Sequence, residues 1–369
     1  MAAGAERILV RAPNWVGDQV LAFPFFHYLR KAYPRARIAS VCVPWVADLQ
    51  FSDLVDEVHV LHPPAKASLL ARFAAVTRDG RALGGKGRWD LAISLPNSFS
   101  AAWLLYLSGA TARRGYRAEG RSWLFTDAEP WNPDPGIHRS QAFVNLIPAP
   151  LRPSRPTREF WGIRPANGLD PDRPGELDRF EPARSWPGAD PVEPPHGPYW
   201  VLAPGSKAES RRWPLENYAR LARRVADSTG WKGVIVGSAA ETGLAADLCE
   251  DRSLGLRDFT ARGPVTALWR VFGGARFTVS NESGLAHVAS LCGSPVHIVC
   301  GAADPMRTRP LGPGPVEVSV NAVECWPCER NTCYQPADKK IQCLRGITPE
   351  AVWDSVARSL RLLPEGKAQ

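Results

Sequence analysis

Asp18 closes the segment Ala12-Pro13-Asn14-Trp15-Val16-Gly17-Asp18, directly behind the short apolar run Ile8-Leu9-Val10. A carboxylate at such a strand-to-helix junction can take the proton of a hydroxyl as its oxygen attacks an electrophile. Gly17 permits a tight turn or a close approach by ligand. Asp at this position also suits a helix cap, and position alone leaves both readings open. A second segment, Ala203-Pro204-Gly205-Ser206-Lys207-Ala208-Glu209-Ser210-Arg211-Arg212-Trp213-Pro214, puts a hydroxyl and cations between a strand and a helix start. Backbone N–H groups with Ser206, Lys207 and Arg211 suit phosphate. The Gly-Lys-Ser/Thr spacing of a Walker loop is absent, and a solvated basic loop is the alternative. A third, Asn281-Glu282-Ser283-Gly284-Leu285-Ala286-His287, follows a buried-type strand and opens a helix, whose N-terminus favours an anion. Ser283 and Gly284 can donate to a diphosphate, and Glu282 can hold a base edge or a sugar hydroxyl. Ser283 as a plain N-cap and His287 as a core residue are the alternatives.

Cys325-x2-Cys328-x4-Cys333-x9-Cys343 gathers four thiols within nineteen residues. Four thiolates can close a tetrahedral structural Zn²⁺ site, though only the first pair has knuckle spacing. Packed thiols are the other reading, and neither gives the cluster a catalytic role. Leu95-Pro96-Asn97-Ser98-Phe99 follows a strand and can present Asn97 and Ser98, or be an ordinary polar turn. Arg113-Arg114-Gly115-Tyr116-Arg117, with Arg121 behind it, is a solvated face or a site for an anionic group.

The elements that must position these groups alternate. Strand patterns at Ile8–Val10, Ile38–Val43, Glu57–Leu61 and Trp89–Leu95 are interleaved with helical segments, among them Val20–Tyr33. A second series follows: Trp200–Ala203, Leu215–Ser228, Gly233–Val236, Thr242–Cys249, Phe277–Val279, Ser283–Leu291 and Val296–Cys300. Such alternation predicts parallel sheets covered by helices. A closing helix is expected from Pro349, behind Thr348, to about Leu362. Residues 165–198 are rich in proline and read as a linker or insertion. The expected plan is α/β: an N-terminal Rossmann-like domain over 1–164, the Pro-rich segment 165–198, a second Rossmann-like domain over 199–348, and a final helical segment over 349–369. Ligands bind at the carboxyl ends of strands in such sheets, so two facing sheets would form a cleft.

A length of 369 residues supports two domains, and 44% hydrophobic with 22% charged residues fits a soluble globular chain. The net charge of +8 suits anionic partners: nucleotide phosphate, nucleic acid or an anionic membrane surface. No secretory signal or run of 18 apolar residues is present, so a cytoplasmic location is expected. In that reducing setting Cys42, Cys249, Cys292 and Cys300 read as packing residues. A basic nucleic-acid-binding protein with a four-cysteine zinc site would be a different class. The cations are dispersed and the spacing matches no common finger, so no nucleic acid is expected.

Six segments in this order resemble the ADP-heptose:lipopolysaccharide heptosyltransferases of glycosyltransferase family 9, in particular their heptosyltransferase II branch. They are Ile8–Asp18 (ILVRAPNWVGD), Leu95–Phe99 (LPNSF), Arg114–Arg121 (RGYRAEGR), Arg211–Pro214 (RRWP), Asn281–His287 (NESGLAH) and Cys325–Cys343. The resemblance implies a GT-B fold, with two Rossmann-like domains facing across a cleft and a final helix able to cross back to the first. It also implies inverting transfer that requires no cofactor. ADP-heptose would be the donor and the heptosyl-Kdo-lipid A inner core of lipopolysaccharide the acceptor, with peripheral contact at the inner membrane. Asp18 falls on the proposed catalytic base. Asn14, Trp15, Gly17, Asn97, Ser98, Arg114, Arg117 and Arg121 fall on the acceptor side. Ser206, Lys207, Arg211, Glu282, Ser283, Gly284 and His287 fall on the donor side. Arg211 stands where the family usually has lysine, and Glu282 where it commonly has aspartate. A related transferase with another nucleotide sugar or acceptor is the near alternative.

Overall fold

The computed structural model describes residues 4–62, 68–131, 137–153, 163–164, 168–169 and 180–361. Two compact units emerge: residues 1–160 with 181–188, and residues 161–180 with 189–369.

Unit 1 is built on six parallel strands: β1 (Arg7–Arg11), β2 (Arg37–Cys42), β3 (Glu57–Val60), β4 (Leu91–Ser94), β5 (Ala112–Arg117) and β6 (Asp127–Pro130). Their order is β3-β2-β1-β4-β5-β6. A short antiparallel pair, β7 (Ile163–Arg164) and β8 (Gly168–Leu169), lies in unit 2. The main sheet of unit 2 comprises β9 (Tyr199–Ala203), β10 (Lys232–Ile235), β11 (Leu256–Asp258), β12 (Thr278–Asn281), β13 (Val296–Cys300) and β14 (Val316–Val320). Its order, β11-β10-β9-β12-β13-β14, repeats that of unit 1. Both sheets are entirely parallel. Their central strands are apolar without alternation: Ile8, Leu9 and Val10, and all of Tyr199–Ala203, are buried. That is the pattern of strands covered on both faces by crossover helices.

In unit 1 the helices Leu69–Gly84 and Phe99–Leu107 pack together over one face of the sheet. Leu83, Leu104 and Leu105 join Leu9, Val41, Trp89 and Ala92 in the core there. Glycine makes the close helix approach possible. A Cβ on Gly80 would lie 2.9 Å from the backbone oxygen of Leu104, and one on Gly84 would lie 3.2 Å from that of Leu107. In unit 2 the helix Leu215–Thr229 buries Tyr218, Leu221, Ala222 and Val225. The closing helix Pro349–Ser359 packs against it, adding Val352, Trp353, Val356 and Ala357 to the same core. Thr348 caps that helix by accepting from Ala351 N, with proline at the first helical position, as the sequence suggests. The helix is therefore an integral part of unit 2 rather than a segment apart. Leu362, its expected end, lies outside the described residues.

Two expectations change. The helix read over Val20–Tyr33 is two helices, Val16–Leu21 and Phe23–Ala32, meeting at Ala22. Pro24 has no N–H to bond back across the junction and sits instead in the first turn of the second helix. The Pro-rich stretch is not one linker. Residues 181–188 belong to unit 1, where Ser185 Oγ donates to Asp53 Oδ1 at 2.8 Å and Ser52 N donates to Ser185 O at 3.0 Å. The chain joins unit 2 again from Ala189. Pro165, Pro171 and Pro174 lie outside the described residues.

Gly80→Val should lower stability by about 1–3 kcal/mol, because its side chain must displace backbone of the facing helix. The midpoint of urea unfolding would report it, and an unchanged midpoint would contradict the close-packed interface.

Candidate active site

In both sheets the order reverses direction between a pair of neighbouring strands, β1/β4 and β9/β12. Connections leave to opposite sides at such a switch point, so the carboxyl ends of those strands are open to ligand. Four of the sequence segments singled out for chemistry lie at these four strand ends; Arg113–Arg121 lies on and behind β5, and Cys325–Cys343 follows β14.

In unit 1, β1 ends on Arg11, a buried cation. Its guanidinium donates to the carbonyls of Ala12 and Val41 and to Asn14 Oδ1. Burial lowers its pKa to about 10, against the opposing influence of Cys42, and leaves it charged at neutral pH. Trp45 Nε1 donates to Asn14 O at 2.6 Å. The loop that carries Asn14 is thus held from both sides. Trp15 is the N-cap of the helix Val16–Leu21 but makes no side-chain cap bond. Gly17 and Asp18 lie in its first turn. Asp18 is therefore not the N-cap, as one reading of the sequence had it. Its Oδ2 stands 3.6 Å from Arg139 Nη1, at the start of the helix Arg139–Val144. A half-buried carboxylate is thus placed at the mouth of the sheet beside the Arg139 guanidinium.

The neighbouring strand β4 ends at Ser94, and Leu95 N donates to Arg11 O at 3.1 Å. Ser98 caps the helix Phe99–Leu107, its Oγ accepting from Ala101 N at 3.3 Å. Asn97 Oδ1 accepts from Arg121 Nη2 at 2.9 Å. Arg121 is fully buried, donates also to Tyr116 O at 3.1 Å, and has its pKa lowered by that burial. It holds Asn97 and does not present a cation to ligand, which corrects the acceptor-contact expectation for Arg121. Arg114 is corrected likewise. It is buried, donates to Leu146 O at 2.8 Å, and forms ion pairs with Asp127 and Glu129. Cβ directions alternate along a strand, so Arg114 turns inward and Arg117 outward. Arg117 is exposed, its Nε donating to Ala128 O at 3.0 Å.

In unit 2 the organising group is Asn281, the fully buried last residue of β12, which sequence reading left without a role. Its Oδ1 accepts from Trp213 N at 3.0 Å and Tyr218 OH at 2.7 Å, and its Nδ2 donates to Pro204 O. One amide thereby fixes both ends of the loop from Pro204 to Trp213. Within that loop Ser206 is buried and its carbonyl accepts from Arg212 Nε at 2.7 Å, while Lys207 is exposed. Arg211 acts electrostatically on Glu282, just beyond β12. Glu282 Oε2 accepts from Gly301 N at 3.0 Å and Ala303 N at 3.3 Å. The Glu282 carboxylate thus ties the end of β12 to the turn after β13. Ser283 is the N-cap of the helix Gly284–Leu291 but makes no side-chain cap bond, and its Oγ lies 3.1 Å from Ser280 Oγ. Gly284 opens that helix and His287 follows one turn on, half-buried.

The four clustered cysteines line one pocket with Ser210 and Lys339. All four are free thiols, and Ile341 N donates to Cys333 Sγ at 3.3 Å. Burial pushes Cys343 up to about 11, and the other three thiols push in the same direction. Among the described residues no group of three or more His, Cys, Asp or Glu side chains is arranged to hold a metal ion. The thiols share a pocket without the convergent geometry that zinc requires, so the residues as placed do not fit the structural zinc expected there.

Two parallel sheets with the Rossmann strand order, each carrying polar groups at its switch point, define the class of fold: GT-B. Residues 76–338 match glycosyltransferase family 9 (heptosyltransferase), and the chain belongs to that family. It is similar to lipopolysaccharide heptosyltransferase 2 of Salmonella typhimurium, at 27% identity over 83% of this chain and 85% of that protein. It is also similar to lipopolysaccharide heptosyltransferase 1 of Pseudomonas aeruginosa, at 26% identity over 93% and 92%. Among solved structures, ADP-heptose LPS heptosyltransferase II of E. coli aligns with a TM-score of 0.70 at 22% identity, covering 96% of this chain and 99% of that one. A family 9 glycosyltransferase from Veillonella parvula aligns at 0.73 and 19%, covering 97% and 98%.

Burial holds Glu282 above the usual carboxylate range, opposed by Arg211 and by the two amide donors. A carboxyl raised in the folded state contributes stability that is lost as pH rises through its folded pKa. Glu282→Gln cannot ionise. The stability of wild type relative to this variant should therefore fall as pH rises above the ordinary Glu pKa of about 4.3. Urea midpoints across that rise would show it, and a flat or rising difference would contradict the burial argument.

Proposed function

We propose that the chain transfers heptose from ADP-heptose to the heptosyl-Kdo-lipid A inner core of lipopolysaccharide, at the cytoplasmic face of the inner membrane. The observation that carries this reading is the Asp18 carboxylate, set at the carboxyl end of β1 outside the cap position and paired with Arg139. Family membership and the names of the curated relatives supply the sugar and the acceptor class.

In this mechanism Asp18 takes the proton of an acceptor heptose hydroxyl as its oxygen bonds to the anomeric carbon of the donor. The bond from that carbon to the diphosphate breaks, and ADP leaves with the electron pair. Attack opposite the leaving group inverts the anomeric configuration. Negative charge grows on the diphosphate, where Ser206, Lys207, Arg211 and the helix start at Ser283–Gly284 would stabilise it. Fixed cations can supply that charge stabilisation, so the mechanism calls for no cofactor. Glu282 acts by holding Arg211 and the β13 turn, and His287 borders the nucleotide. On the acceptor side, Asn14, Trp15, Gly17, Asn97 and Arg117 line the approach to Asp18. Arg11 and Arg121 position them from beneath.

Removing a general base costs about 10²–10⁴ in turnover. Asp18→Asn should lower kcat by that factor while leaving ADP-heptose affinity unchanged, measured by ADP release and by calorimetry. Arg139→Ala should lower kcat with donor affinity unchanged, and Arg139→Lys should recover part of it. ADP release by Asp18→Asn at the wild-type rate would remove Asp18 from the mechanism. Tight ADP-heptose binding without transfer to heptosyl-Kdo-lipid A would point to another acceptor.

A further inference from the structure

Unit 1 carries an aromatic shelf that the sugar chemistry does not use. On the helices Leu69–Gly84 and Phe99–Leu107, Phe73 stacks on Trp103 with ring centroids 5.6 Å apart. Trp103 stacks in turn on Tyr106 at 5.5 Å and on Phe99 at 6.4 Å. Trp123, on the turn Ser122–Leu124, closes the cluster at 6.0 Å from Tyr106 and 6.5 Å from Phe99. The shelf is open to solvent: Trp123 is 62% exposed, Phe73 46% and Tyr106 41%, and at its end Leu69 and Leu70 are each 82% exposed. A contiguous apolar surface of this kind marks an interaction site.

Its chemistry selects the occupant. The shelf is built of Trp, Tyr, Phe and Leu with arginine interleaved. The Arg113 guanidinium lies over the Tyr106 ring at 5.4 Å. Arg72, Arg78 and Arg81 are exposed along the first helix, and Lys86 and Arg88 follow it. Residues 68–88 hold five Arg and Lys against one acid, Asp79: a net +4, half of the +8 of the whole chain. Aromatic rings at the level of lipid headgroups, with cations attracted to anionic headgroups, are the signature of a protein lying on a membrane. Protein interfaces also favour aromatics and arginine; the excess of one sign of charge along the rim, with a single acid among residues 68–88, is what selects an anionic lipid surface.

The place of the shelf fits as well. Phe99 directly follows Asn97 and Ser98 at the end of β4, so the shelf begins where the acceptor-side loop ends. We propose that this shelf docks the enzyme on an anionic lipid bilayer, with Leu69, Leu70, Phe73 and Trp123 entering the interface and the flanking arginines meeting headgroup phosphates. Docking would hold the Asn97 loop toward a lipid-anchored acceptor, and in this the inference rests on the proposed function.

The test is cosedimentation of the full chain with vesicles, in the absence of any sugar substrate. The wild type should sediment with vesicles containing phosphatidylglycerol, less with phosphatidylcholine alone, and less as salt rises. Leu69→Glu combined with Leu70→Glu should weaken binding by at least about tenfold, as should Trp123→Ser. All three side chains are exposed, so thermal melting should be unchanged, and ADP release on a detergent-dispersed acceptor should be retained. Wild type that stays in the supernatant with anionic vesicles would overturn the proposal, as would variants that sediment like wild type. Self-association abolished by the same substitutions, without vesicle binding, would overturn it in favour of a second copy. Vesicle binding without sugar transfer would leave docking standing and remove the proposed reaction instead.

Discussion

The parallel pairing of β1 with β4, and of β9 with β12, is the constraint from which each unit follows. Parallel strands need long crossovers, and these bring all the carboxyl ends to one edge of the sheet. At β1/β4 and β9/β12 the crossovers diverge, so two neighbouring strand ends lack a covering connection. Most residues of the proposed reaction begin within a few residues of those ends: Asn14 to Asp18, Asn97, Ser206 to Arg211, and Glu282 to Gly284.

The loops at these ends are held by buried polar groups more than by packing. Arg11 ties together Ala12, Asn14 and Val41. Arg121 holds Asn97, and Asn281 joins the β12 end to Pro204, Trp213 and Tyr218. Burying a guanidinium is costly unless its donors are met. The lowered pKa values of Arg11 and Arg121 register that cost, and several directed hydrogen bonds offset it. A hydrogen-bonded pin restricts direction as well as distance, whereas an apolar contact does not, and a site that must orient a sugar hydroxyl needs both.

The units divide the electrostatic work differently. In the proposed reaction the carboxylate of unit 1 is the reactive group, and Arg139 beside Asp18 is its support. In unit 2 the carboxylate is the support. Glu282 is braced by two backbone amides and faces Arg211, leaving the cations and the helix start as the groups suited to a diphosphate. In the proposed reaction the same fold thus serves acceptor activation in one unit and leaving-group stabilisation in the other by reversing which sign of charge is structural.

Much of this was legible in the chain itself. Apolar runs and their spacing gave the strands, and residue order gave the repeated α/β plan, because both depend on local periodicity. Motif order also pointed to the family. The direction of each arginine was not legible: in RRGYR, Arg114 and Arg117 stand three positions apart, and strand alternation with the acids at Asp127 and Glu129 turns Arg114 inward while Arg117 remains exposed. Nor could sequence show that Arg139 meets Asp18, that Asn281 is the pin of unit 2, or that the four clustered cysteines line one pocket. Residue type and spacing determine which chemistry is possible along a strand or helix. Which groups spend their charge on each other is settled only when distant segments meet, because desolvation and hydrogen-bond geometry depend on neighbours far away in the chain.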